Sequence, residues 1–314
     1  MSLHLIVFAG FYAAGRHAVR YADTLAQALR AQLVLLHVEQ ASFFDMPELA
    51  ASNADARTRQ AATAVGLQQL AQGLHVRPLV ELTTDLLPAG ARDLASRYAP
   101  ALFVLSPPNP DLVGAAAVTT ACAGLLQAGN FPLLVVPSAV ADDQPPRRFL
   151  IASDGEPFTL AATAGPWAQL LPTLATHVVV AHVSDSAEND AACGAALQAV
   201  QASGLLDGLA NPELRGYDHR DFAEGLLAAV ADTQADVLVL LARPRSFLSE
   251  LFHRSVTARL LERCPVPVLL LPVAAEVPAA TFPSPIAATV AQWTSDLLAG
   301  IAPVVRSHPY MPKN

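Results

Sequence analysis

Leu150-Ile151-Ala152-Ser153-Asp154-Gly155 is a short apolar run closed by an acidic residue and a glycine, and it has a twin 145 residues earlier, Leu5-Ile6-Val7-Phe8-Ala9-Gly10. The same offset carries Leu35-Leu36-His37-Val38 onto Val180-Ala181-His182-Val183. Farther on, Ala101-Leu102-Phe103-Val104-Leu105 answers Val237-Leu238-Val239-Leu240-Leu241 at an offset of 136, and Pro132-Leu133-Leu134-Val135-Val136-Pro137 answers Pro267-Val268-Leu269-Leu270-Leu271-Pro272 at 135. Solenoid repeats are ~20–50 residues long, so a period of this length means two copies of one domain. The drift in offset puts the main length difference between His37 and Ala101, where the second copy is the shorter.

Within each copy, strand-like runs alternate with helix-length segments. In the first, strands are expected at Leu5–Ala9, Gln32–Val38, His75–Leu82, Ala101–Ser106 and Pro132–Val136. Helices are expected at His17–Leu29, Glu48–Gln72 (with Gly73 as its stop), Leu87–Tyr98 and Gly114–Ala128. The second copy should repeat this from Phe149 to Leu271. The strands are continuous apolar runs, the pattern of a sheet covered by helices on both faces. Strict alternation gives a doubly wound, five-stranded parallel α/β sheet with right-handed crossovers in each copy. The expected organisation is a domain at 1–138, a polar, proline-bearing linker at 139–147 containing Asp142-Asp143-Gln144-Pro145-Pro146, a second domain at 148–273, and a tail at 274–314. In the tail, Ser284 and Pro285 read as a helix start, after which Ile286, Val290, Trp293 and Leu297 share one face.

Composition narrows the function. Hydrophobic residues make up 53% of the 314 and charged residues only 15%, which favours filled cores over disorder. A net charge of −8 opposes extended contact with nucleic acid or an anionic membrane. No apolar run approaches the ~18–20 residues that cross a bilayer, and the N-terminal stretch reads as a strand rather than a signal peptide. Cys122, Cys193 and Cys264 form no C-x-x-C pair, which points to buried thiols in a reducing cytoplasm.

The strand Leu150–Ala152 with its Asp154-Gly155 turn, the closing His182-Val183, and the run Leu248-Ser249-Glu250-Leu251-Phe252-His253-Arg254-Ser255-Val256 leading through Leu260-Leu261 to Cys264-Pro265-Val266-Pro267-Val268-Leu269-Leu270 resemble a universal stress protein domain. The whole chain resembles a tandem member of that family, the first copy less closely. The resemblance implies a Rossmann-like, nucleotide-binding α-hydrolase-like fold, a strand order of 3-2-1-4-5, and pairing of domains through their fifth strands. Covalent duplication would make that pairing an intramolecular pseudo-dimer, and two chains could associate further as a homodimer. Both fifth strands are short and apolar, and an exposed edge of that kind invites pairing.

The family's ATP-binding members carry G-x-x-G, about nine residues, then Gly-Ser or Gly-Thr after the fourth strand. Glycines let backbone N–H groups approach phosphate, and the next helix N-terminus adds a favourable dipole. In the second copy the resemblance puts Leu241, Ala242, Arg243 and Pro244 at these positions, then Arg254-Ser255, with none of the three glycines. In the first it puts Leu105, Ser106, Pro107 and Pro108, then Thr119-Thr120, with Ala9 in place of the Asp. Proline has no N–H to donate, so both nucleotide sites read as degenerate. If nucleotide binds at all, Asp154, Val183, Arg243, Arg254 and Ser255 of the second copy are its candidates, with Arg245 and His253 nearby and guanidinium groups standing in for backbone N–H groups. His37 and His182 share a strand-end position and read as structural, bonded to nearby backbone. Asp154 also reads as a turn cap. Asp154, Glu156 and Asp185 have no spacing that demands a metal.

The leading expectation is a non-catalytic cytoplasmic stress-response protein with no required cofactor. The competing one is an ATP-binding protein that uses magnesium and its second copy for slow hydrolysis or self-phosphorylation. A small apolar ligand near Leu241 and Phe247 is a third. No protein partner can be named from the sequence.

Overall fold

Leucine, valine and isoleucine runs too apolar to face water form the strands, and in the computed structural model those of both copies join one sheet. The structure describes residues 3–9, 13–38, 53–83, 89–107, 116–141, 143–169, 171–185, 190–209, 211–243 and 256–274. In the first half the elements are β1 (His4–Phe8), α1 (Ala13–Leu29), β2 (Gln32–Val38), α2 (Asn53–Gln72), β3 (Leu79–Thr83), α3 (Ala89–Arg97), β4 (Ala101–Leu105), α4 (Ala116–Gly129) and β5 (Leu133–Val135). In the second they are β6 (Arg148–Ala152), α5 (Gly165–Ala168), α6 (Leu171–Leu174), β7 (His177–Ser184), α7 (Asp190–Ala202), β8 (Glu213–Asp218), α8 (Phe222–Thr233), β9 (Val237–Ala242), α9 (Val256–Arg263) and β10 (Val268–Pro272). The tail helix expected from Ser284 lies outside the described residues.

The strand order is β3-β2-β1-β4-β5-β10-β9-β6-β7-β8. Each half is therefore 3-2-1-4-5, parallel throughout. The halves meet as the resemblance implied: β5 and β10 run antiparallel, with Val135 opposite Val268, Leu134 opposite Leu269 and Leu133 opposite Leu270. One apolar cluster lies on each face and spans both halves. Ile6, Phe103 and Leu133 share a cluster with Leu150, Leu238 and Leu270 under α3, α4, α8 and α9. Leu5, Leu102 and Leu134 share the other with Phe149, Val237 and Leu269 under α1, α5 and α6. Residues 1–274 form one compact unit on these two cores.

Strand pairing corrects the alignment of the copies. His4 faces Gln32 as Arg148 faces His177, so the opening strands correspond at 144 (His4 to Arg148), not 145. Ile6 faces Phe103 as Leu150 faces Leu238, so the fourth strands correspond at 135 (Phe103 to Leu238), not 136. A slip of one residue exchanges the two faces of a strand, and cluster membership agrees with the new register.

Two elements depart from expectation. The strand expected from His75 begins only at Leu79. The buried Asp23 of α1 accepts the backbone N–H groups of His75 and Val76, both at 2.8 Å, which holds that stretch to the helix. Pro78 then has no N–H for a ladder. In addition, the second half does not repeat α1. Its counterpart is an irregular segment followed by two four-residue helices, α5 and α6. Pro157, Pro166 and Pro172 interrupt any longer helix there, and Pro166 is tolerated because it sits at the start of α5.

Candidate functional site

In a 3-2-1-4-5 sheet the first and fourth strands leave in opposite directions, and the crevice beyond their carboxyl ends is where ligands usually bind. In the second half that crevice lies between the ends of β6 and β9, which carry Asp154 and Arg243.

These two residues, both expected as nucleotide contacts, bind each other. Arg243 Nε donates to Asp154 Oδ2 at 3.1 Å and its Nη2 to Asp154 Oδ1 at 2.9 Å, a two-point guanidinium–carboxylate pair. The same guanidinium donates to the carbonyl oxygens of Glu156 (2.8 Å) and Pro157 (3.3 Å). Its charge lies 5.9 Å from the centre of the Phe158 ring, within cation–π range. The Arg243 side chain is only 10% exposed, whereas that of Asp154 is half exposed. Asp154 also accepts the Glu156 N–H at 3.0 Å, the turn-capping role read from its place before glycine. Gly155 has φ of +84°, a conformation that suits glycine and strains other residues.

The segment after β6 then continues over the crevice. Ala161 N donates to the Pro272 carbonyl and Ala274 N to that of Thr159, both at 2.8 Å, and Leu160 bridges Val273. Residues 153–161 thus run from the end of β6, past Arg243 at the end of β9, to the end of β10. Where the first half turns into a long helix, the second lays a strap across its own switch point, held by Arg243.

The other candidates are placed as follows. The Val183 side chain is buried in the core against Gly225 of α8. His182 Nδ1 lies 2.9 Å from the Ser153 carbonyl, and His37 Nδ1 lies 3.4 Å from that of Ala9, so both histidines make the same backbone contact. Arg254, Ser255, Pro244, Arg245, Phe247 and His253 lie outside the described residues, as does Pro108. No cluster of histidine, cysteine or carboxylate side chains suited to a metal occurs among the described residues.

The register also revises the proline reading. Counted from the paired strands, Pro107 corresponds to Ala242 and Pro108 to Arg243, while Pro244 corresponds to Asn109. The two copies do not carry proline at one shared position. Likewise Ala9 corresponds to Ser153, and the counterpart of Asp154 is Gly10. The first half still lacks the carboxylate, and no glycine occurs between Leu241 and Ser255.

A parallel α/β sheet with its crevice at the strand-order reversal defines the class. Comparison with known proteins finds a family match for the second half. Residues 146–272 match the Universal stress protein family. A universal stress protein from Archaeoglobus fulgidus DSM 4304 aligns with a TM-score of 0.61 at 13% identity, over 85% of this chain and 97% of its own. Two proteins of Pseudomonas aeruginosa, one from strain UCBPP-PA14 and the functionally unknown PA1789 of strain PAO1, align at 16% and 17% identity with TM-scores of 0.49, each over 93% of this chain and 97% of its own. No curated protein sequence matches. The match to the universal stress protein family thus covers the second half of the chain, and the first half has the same strand order.

Among the described residues, the candidate arginine, Arg243, is already bound to the acidic candidate, Asp154, and the sequence from Leu241 to Ser255 holds no glycine to stand in for it.

Proposed function

We propose that this chain is a non-catalytic stress-response protein of the cytoplasm that acts through its surfaces and does not hold ATP in the usual way. The observation that supports this reading is the Arg243–Asp154 pair. A phosphate entering the second crevice would have to break a two-point ion pair and two hydrogen bonds to carbonyls before it gained one guanidinium. Charge-assisted bonds of this kind contribute about 1.5–3 kcal/mol each, so an incoming anion starts at a disadvantage. No described helix is long and apolar enough to cross a membrane, in keeping with this location.

The test is whether the purified protein carries nucleotide. After denaturation the supernatant should contain no stoichiometric adenine nucleotide, and titration of the native protein with ATP and magnesium should give no heat of binding. Tight binding of ATP that Arg243→Ala abolishes would replace this reading with the second expectation, an ATP-binding protein using its second half alone.

A further inference from the structure

A second cavity lies at the opposite, amino-terminal end of the strands, where the two halves and the linker meet. It has a volume of about 680 Å³ and is open to solvent on one side, with Tyr21 from α1, Arg147, Arg148, Thr176 and Asp236 in its wall. Small-molecule sites typically occupy about 300–1,000 Å³. Tyr21 is 97% buried at 3% exposure, yet its hydroxyl makes no hydrogen bond among the described residues. A buried phenol normally finds a partner. Burial, with the Asp236 carboxylate adding to it, pushes the Tyr21 hydroxyl well up, so it is a donor at any ordinary pH.

The charges around it are unevenly matched. Asp236 is neutralised within the protein: it accepts the backbone N–H groups of Arg147 (2.9 Å) and Arg148 (2.8 Å) and pairs with the Arg148 guanidinium at 3.3 Å. Arg147 is exposed, and its guanidinium has no ion pair among the described residues. Asp143 is the other acidic group in the wall. Tyr21 and Pro146 also line a separate, narrow apolar cleft of about 40 Å³, together with Leu25, Leu134, Phe149 and Leu171. Trp167, 4% exposed, also lines this cleft, and its indole N–H has no partner among the described residues. A hydroxyl and a guanidinium, each without a partner among the described residues, therefore border this cavity, and an indole N–H borders the neighbouring cleft.

We infer that this hollow binds a small amphipathic carboxylate, with the head group between Tyr21 and Arg147 and the apolar end directed at the cleft beside Trp167. A singly charged head suits one guanidinium and one phenol. With Asp236 paired to Arg148, the remaining wall charges are Arg147 and Asp143, so a doubly charged phosphate would bring one more uncompensated charge than a carboxylate.

Isothermal titration of the full chain with octanoate, hexanoate and octanol tests the assignment. Octanoate should bind at one site per chain, with octanol at least about tenfold weaker. Tyr21→Phe and Arg147→Gln should each weaken octanoate about tenfold, the effect of one lost charge-assisted hydrogen bond. Both variants should keep the parent melting temperature, since one is isosteric and the other is at the surface. Equal affinity for octanol, octanoate binding unchanged in both variants, or no binding by any of the three probes would each overturn the inference.

Discussion

Asp221 shows how much one side chain fixes locally. It is the N-cap of α8, accepting the N–H groups of Ala223 (3.0 Å) and Glu224 (3.2 Å), while its other oxygen meets Arg259 of α9 at 2.7 Å. The Arg259 bond first, and the backbone N–H groups with it, hold this carboxyl below the usual carboxylate range. Its folded pKa is thus lower than its unfolded one. The contribution is present above the ordinary value of about 3.9 and is lost as pH falls through the folded value. Asp221→Ala should lower the melting temperature at pH 7 by about 2–4 °C and Asp221→Asn by less. Chemical unfolding near pH 3 should show the gap to the parent shrinking. The thiols give a second residue-scale outcome. Burial pushes Cys122 up to about 12 and Cys264 up to about 11, while Cys193 is half-buried. A disulfide reagent at pH 8 should label Cys193 promptly and the other two only after denaturation, which counting released thiolate will check.

At the scale of elements, close packing decides which glycines matter. A Cβ on Gly225 of α8 would stand 2.5 Å from Val183 Cγ1, so Gly225→Ala should cost about 1–3 kcal/mol in urea unfolding. Gly124 of α4 and Gly194 of α7 have open space where a Cβ would go. Their alanine variants should be neutral or stabilising by up to about 1 kcal/mol. The strands were legible because a twice-covered strand must be apolar along its whole length. Their register was not, because a continuous apolar run reads the same when shifted by one. That ambiguity misaligned Phe8 with Ser153 and Leu105 with Leu241 until hydrogen-bond partners set the offsets. The missing long helix of the second half had a local signal in Pro157, Pro166 and Pro172, which the expectation of a faithful repeat overrode.

For the whole molecule, the seam between β5 and β10 carries the greatest consequence. Leu134 and Leu269 face each other across it, 3% and 8% exposed, within a cluster that spans both halves. Leu134→Asp or Leu269→Asp would bury a charge without a partner, at a cost of several kcal/mol. Thermal unfolding should show a large drop with loss of soluble protein. Unchanged stability would show that the halves do not depend on their shared sheet.

The sequence by itself determined the duplication, the parallel α/β class and the absence of glycine between Leu241 and Ser255, because these are properties of residue type and spacing. It also marked Asp154 and Arg243 as the second crevice's chemistry. Only the tertiary structure decided that they bind each other and hold a strap over that crevice, and that Tyr21 and Arg147 border one hollow. Residues 89 and 126 positions apart in the chain meet only when strands from distant segments are ordered in a sheet, and no local pattern encodes which of their partners will be near.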